Sequence, residues 1–165
     1  MVVWILGQPC SGKSTLANLL ISQKSKYPIS VYHEIGYEAK IHNIDADVFR
    51  EVFSNKNYGR EGRIMNVSNA ANIAKYLNWQ GEDVICSFVT PYAEMRNYII
   101  ELMGENVKFV YLTYNEGEAR GREGYHVNDF EIPEGENLLT INTSNCTEEQ
   151  AAQMISNFCL NLKNQ

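Results

Sequence analysis

The stretch GQPCSGKST, residues 7–15, constrains this chain more than any other feature. It spaces Gly7, Gly12, Lys13 and Ser14 as Gly-x-x-x-x-Gly-Lys-Ser, directly after the apolar run Val2 to Leu6. Such a loop functions between a buried strand and a helix. Its glycines turn consecutive backbone N–H groups toward one anion, and the helix N-terminus adds the positive end of its dipole. Here an apolar strand precedes the loop, and Leu16, Leu19 and Leu20 share one helical face after it. Lys13 is then expected to reach the β- and γ-phosphates of a nucleoside triphosphate, and Ser14 to ligate Mg²⁺. Gly7, Pro9, Cys10, Ser11, Gly12, Lys13, Ser14 and Thr15 are the expected lining of the phosphate cradle.

The rest of the chain repeats the β-α order that the loop requires. Ile41 to Ile44, Val84 to Val89, Val107 to Leu112 and Leu138 to Ile141 read as buried strands, too short and too uniformly apolar for amphipathic helices. Val67, Ala70, Ala71, Ala74 and Leu77 form a second helical stripe that Gly81 closes as a C-terminal cap. Thr147 and Gln150 form a capping box for a last helix with Ala151, Met154, Ile155 and Phe158 inward. This order predicts a P-loop NTPase of the α/β class, a three-layer sandwich with a parallel sheet of about five strands and helices on both faces. Residues 25–40, with Pro28, Gly36 and three tyrosines, read as an irregular connection with room for a short helix. With no repeat, low-complexity tract or linker in 165 residues, a single domain over residues 1–165 is expected.

Charge and cysteine usage exclude several function classes. A net charge of −6 argues against broad binding of nucleic acid or an anionic membrane, which need a positive face. Cys10, Cys86, Cys146 and Cys159 show no metal-ligand spacing and read as reduced thiols. The apolar start is five residues long, broken by Gly7 and Pro9, with no basic segment ahead of it. It therefore reads as neither signal peptide nor membrane span, and a cytoplasmic protein is expected.

The second strand carries the clue to what receives the phosphate. "HNIDADVFR" ends a strand on Asp45, followed by Asp47 and Arg50. At the C-terminal edge of a parallel sheet these groups share the crevice of the phosphate loop. Asp47, with Asp45 as the second choice, reads as the base for an acceptor hydroxyl or as an anchor for the metal's water shell. The alternative is that Asp45 only caps the following helix. The six arginines, Arg50, Arg60, Arg63, Arg96, Arg120 and Arg122, all fall after predicted strands or in connections, where bidentate anion recognition favours arginine.

These residues resemble the adenylylsulfate (APS) kinase family. Asp45-Ala46-Asp47-Val48-Phe49-Arg50 matches that family's Asp-Gly-Asp-Asn-Val-Arg at both acids and the arginine. "YGREGRIMNVSN" keeps Arg63 and Asn66 of the segment that follows, "SFVTPYA" is similar to the family's Ser-Phe-Ile-Ser-Pro-Tyr-Arg, and "DFEIPEGENLLTINTS" to its closing strand. The resemblance implies an ATP- and Mg²⁺-dependent kinase acting on the 3′-hydroxyl of a small nucleotide, adenylyl sulfate first. It places Arg50, Arg63, Asn66, Phe88 and Thr90 at the acceptor, Arg120 or Arg122 over the γ-phosphate, and Phe88 and Phe130 beside the acceptor's base. A homodimer is expected on the same ground.

Departures accompany the match. Ser68 and Asn69 stand where the family has two arginines, Gly62 replaces an aspartate and Ala93 an arginine. The family's long lid is replaced by "NEGEARGREGYHVNDF", which offers Arg120, Arg122, Tyr125 and His126. A changed acceptor, such as that of the related cytidine diphosphoramidate kinases, is the nearest alternative. A nucleotide-binding switch is the alternative from another class.

Overall fold

The computed structural model describes residues 1–30, 40–118, 120, 121 and 123–161. Among them are strands β1 (Val2–Leu6), β2 (Ile41–Asp45), β3 (Asp83–Ser87), β4 (Val107–Thr113) and β5 (Leu138–Asn142). Helices are α1 (Lys13–Ser22), α2 (Ala46–Val52), α3 (Arg60–Trp79), α4 (Ala93–Met103) and α5 (Glu148–Cys159). All strand pairs are parallel, in the order β2-β3-β1-β4-β5. The expected five-stranded P-loop sandwich is what forms.

β1 is central and shows why its sequence is unbroken by polar residues. Val2, Trp4 and Leu6 enter a core with α3 and α4, whereas Val3 and Ile5 enter a second core with α1 and α5. With both faces covered, all five residues are 0% exposed. Ala70, Ala71 and Ala74 keep α3 close to the sheet, and Gly81, at φ 86°, ends the turn after it as the sequence predicts.

Local chemistry explains the differences from expectation. β3 ends at Ser87 rather than Val89, opposite Asp45 where β2 gives way to α2, and Thr90 beyond it takes φ 45°. The capping box of α5 forms, with Thr147 N donating to Gln150 Oε1 at 2.9 Å and Gln150 N to Thr147 Oγ1 at 3.2 Å. Its buried face is nevertheless Ala151, Ala152, Ile155, Ser156 and Cys159, with Met154 and Phe158 only half-buried. Ser156 Oγ turns this face inward by donating to Pro28 O at 2.6 Å. Buried Lys108 of β4 caps the helix end, donating to Phe158 O at 3.2 Å and Asn161 Oδ1 at 2.6 Å. Of residues 25–40, Tyr27 and Ile29 are buried in the core beneath α1 and α5. Residues 31–39, and any short helix there, lie outside the described residues.

Candidate active site

The phosphate loop sits where the chain leaves β1, between the loops after β3 and β4. Gly7 takes φ 146°, and a Cβ there would stand 2.4 Å from Leu112 O and 2.8 Å from Ser11 Oγ. Only glycine fits. Gly12, at φ 96°, opens α1 with no side-chain cap and no acidic residue in the first turn, so the helix start is left to an anion. Lys13 Nζ donates to Gln8 O at 2.7 Å and to Ser11 Oγ at 3.4 Å.

Facing the loop is a cavity of about 650 Å³. Of the sequence-predicted residues, Pro9, Cys10, Gly12, Lys13, Ser14, Thr15, Asp45, Asp47, Arg50, Arg63, Asn66, Phe88 and Thr90 line it. Gly7 and Ser11 are buried beneath the loop.

Asp45 caps α2 and also faces the phosphate loop. Its Oδ1 caps α2 by accepting from Asp47 N at 3.0 Å, while its Oδ2 accepts from Ser14 Oγ at 2.5 Å and Ser87 Oγ at 3.2 Å. A hydroxyl and a carboxylate oxygen, both hard donors, thus meet at the start of α1, a set that suits Mg²⁺. Asp47 lines the cavity from the first turn of α2.

Across the cavity two guanidinium groups face one region. Burial, and then the charge of Arg63, hold Arg50 below the usual arginine pKa; burial also lowers that of Arg63. Such crowding of like charges is what an anion would relieve. Arg50 has a second duty that the sequence did not reveal. It donates to Asn55 O at 3.2 Å and Asn57 O at 2.9 Å and lies 4.5 Å over the Tyr58 ring, so it holds the 53–59 connection in place. Arg63 Nε donates to Tyr58 O at 2.7 Å. Beside them Asn66 is 2% exposed, and its Oδ1 has no hydrogen-bond partner among the described residues.

Among the described arginines, Arg120 lies in a connection as predicted and the other four lie within helices. Arg50 is in α2, Arg60 and Arg63 open α3, and Arg96 is in α4. Arg96 is buried and donates to Thr90 O at 3.2 Å, and Trp4 Nε1 donates to Thr90 Oγ1 at 2.8 Å. These bonds hold a β-branched residue in the left-handed region at the cavity floor.

In the connection after β4, Arg120 lies beside the start of α1 and is held by other partners. It donates to Glu118 Oε1 at 2.8 Å, Thr143 Oγ1 at 2.9 Å and Ser144 Oγ at 3.1 Å, and lines a separate cavity of about 110 Å³ with Gly12, Thr15, Thr143 and Cys146. Arg122 lies outside the described residues. Phe130 stacks on Tyr111 with centroids 5.7 Å apart and is not in the main cavity's lining, while Phe88 is 1% exposed and belongs to the core with Trp4. The aromatic residues at the cavity mouth are Tyr58 and Tyr125, 49% and 55% exposed, whose rings meet edge-on at 5.8 Å. Tyr58 was missed; its signal was an aromatic residue directly before the Gly59 turn into α3. His126 is hydrogen-bonded to Tyr114 Oη at 2.9 Å.

Phosphate loop, metal-suited oxygens and paired arginines at the C-terminal edge of this sheet define a P-loop kinase. The family model for adenylylsulphate kinase matches residues 1–124, and the chain belongs to that family. It is 35% identical to a probable adenylyl-sulfate kinase of Aeropyrum pernix over 64% of this chain and 52% of that protein, about half its length. It is 26% identical to the cytidine diphosphoramidate kinase of Campylobacter jejuni over 96% of each chain. The fold matches the Mycobacterium tuberculosis APS kinase solved in complex with AMPPNP and APS, with TM-score 0.75, 18% identity and 95% coverage of each chain. No helix among the described residues is long and apolar enough to cross a membrane.

Proposed function

We propose that this protein transfers the γ-phosphoryl group of ATP to a hydroxyl of a small anionic nucleotide, adenylyl sulfate first among acceptors. The observation that carries the reading is Asn66 Oδ1, a buried acceptor without a partner among the described residues, in the cavity shared by the phosphate loop and the arginine pair. A buried oxygen of this kind costs about 1–3 kcal/mol unless something donates to it, and an amine or hydroxyl of a bound substrate does so. The loop amides and Lys13 hold the triphosphate. Ser14 and Asp45 hold Mg²⁺, which when bound offsets charge on the phosphates. Asp47 takes the acceptor hydroxyl's proton, Arg50 and Arg63 bind the acceptor's anionic group, and Tyr58 and Tyr125 give its base an apolar surface.

A cytidine diphosphoramidate acceptor is the second reading. It is supported by the relative of that name, which aligns along nearly the whole of both chains. The test is kcat/KM for adenylyl sulfate and for cytidine diphosphate derivatives with ATP and Mg²⁺, products identified by mass. Preference for adenylyl sulfate supports the first reading and preference for the cytidine compound the second. Nucleotide binding with no transfer to either would refute both and favour a switch.

A further inference from the structure

Gln8 follows the first glycine of the phosphate loop, and its two ends hold different parts of the site. Its carbonyl accepts from Lys13 Nζ at 2.7 Å. Its side-chain amide pairs with the peptide group of Val127, Nε2 donating to Val127 O at 2.8 Å and Val127 N donating to Oε1 at 3.0 Å. This is a two-point pairing between residues 119 positions apart, and Val127 is buried at 7% exposure. Two residues before Val127 stands Tyr125, which meets Tyr58 across the cavity mouth. Four residues after it, Glu131 is fixed by Ala93 N at 2.5 Å and by its own N–H to Pro91 O at 2.9 Å. The wall carrying Tyr125 is therefore anchored to α4 on one side and to the phosphate loop, through Gln8, on the other.

We propose that Gln8 is a positioning residue that transmits occupancy of the phosphate loop to the acceptor wall. The inference rests on the proposed function in taking the loop's occupant to be a nucleoside triphosphate. A triphosphate fixes the backbone of the loop, Gln8 thereby fixes Val127, and Val127 sets Tyr125 against the acceptor. Coupling of this kind is reciprocal, so the acceptor also tightens nucleotide binding by the same factor. A leucine at this position would fill a similar volume yet leave the Val127 peptide without either partner.

The experiment compares the wild-type chain with Gln8→Leu and Gln8→Glu. Hydrogen exchange at the Val127 amide is followed with and without AMPPNP and Mg²⁺, with calorimetry confirming nucleotide binding in each protein. The expected result is a slowing by AMPPNP of about tenfold or more in the wild type and of less than about twofold in Gln8→Leu. Gln8→Glu, which keeps an acceptor for Val127 N–H but sets a carboxylate against Val127 O, falls between the two. With both substrates present, loss of the coupling in Gln8→Leu raises KM for the acceptor at saturating ATP and KM for ATP at saturating acceptor by the same factor, about tenfold, while AMPPNP alone binds within about twofold of wild type, a pattern that a purely structural role would not produce. Equal protection by AMPPNP in wild type and Gln8→Leu, with nucleotide bound in both, overturns the coupling alone. Absence of nucleotide binding by the wild type overturns the proposed function and this inference together.

Discussion

Ser14 Oγ donates to Asp45 Oδ2 at 2.5 Å, joining the first turn of α1 to the end of β2 across 31 positions of sequence. The other oxygen of that carboxylate caps α2. The same side chain therefore serves the fold and the phosphate site, and substitutions can separate the two contributions.

Asparagine caps a helix as well as aspartate, so Asp45→Asn is expected to keep thermal stability close to wild type, whereas Asp45→Ala loses the cap at about 1 kcal/mol. Both variants lack the anionic oxygen beside Ser14 and should require much higher Mg²⁺ for turnover. Melting curves alongside Mg²⁺ titrations of activity check this. Normal Mg²⁺ dependence in Asp45→Asn would remove Asp45 from the metal site.

Asn66 should trade stability for binding. Asn66→Leu removes the unpartnered buried oxygen and is expected to stabilise the free protein by on the order of 1 kcal/mol, while raising the acceptor KM tenfold or more. Urea unfolding and steady-state kinetics on the same preparations measure both. A destabilised variant with an unchanged KM would mean that the oxygen has no ligand.

The two arginines should differ in what they lose. Arg63→Met is expected to weaken acceptor binding by about 1.5–3 kcal/mol, roughly tenfold to over a hundredfold, with little change in ATP KM. Arg50→Met should do the same and destabilise the protein more than Arg63→Met, because it takes the donor from both Asn55 O and Asn57 O where Arg63→Met takes it only from Tyr58 O. Equal melting temperatures for the two variants would contradict the bracing role assigned to Arg50.

The cysteines give a test independent of catalysis. Burial raises the pKa of the Cys86 thiol, and it raises that of Cys159 to about 12 from an ordinary 9.0. Because the folded-state value is the higher one, the contribution to stability is fully present below pH 9 and is lost as pH rises through about 12. The decline of the urea midpoint above pH 9 should therefore be shallower in Cys159→Ala. At pH 8 a thiol reagent should modify exposed Cys10 first and half-buried Cys146 next, reaching Cys86 and Cys159 only after unfolding. Rapid modification of all four cysteines in the native protein would contradict the described core.

Much of this was legible in the sequence because a few contacts dominate it. Val2 to Leu6 cannot be anything but a strand covered on both faces, and a phosphate loop after it fixes where the crevice lies. Asp45 and Asp47 could be placed at that crevice because they follow the next strand, and Arg63 and Asn66 because they keep their places in the resembled family motif. What the sequence hid are duties set by contacts distant along the chain. Arg50 braces backbone carbonyls of a connection whose path no local pattern encodes. Arg120 is tied to Thr143 and Ser144 beyond the next strand, and Tyr58 and Tyr125 come together only because that connection and the wall beyond β4 meet over the cavity.

Gly62, at the position of an aspartate in the resembled motif, sets how closely two segments of the cavity wall approach. A Cβ at that position would lie 2.1 Å from Asn57 O, and Asn55 Nδ2 donates to Gly62 O at 2.9 Å, so the 53–59 connection occupies the space a side chain would need. Any side chain placed there by substitution would displace Asn57, and with it the carbonyl that Arg50 holds at 2.9 Å, so the bare backbone at Gly62 fixes how closely this side of the cavity can be drawn in.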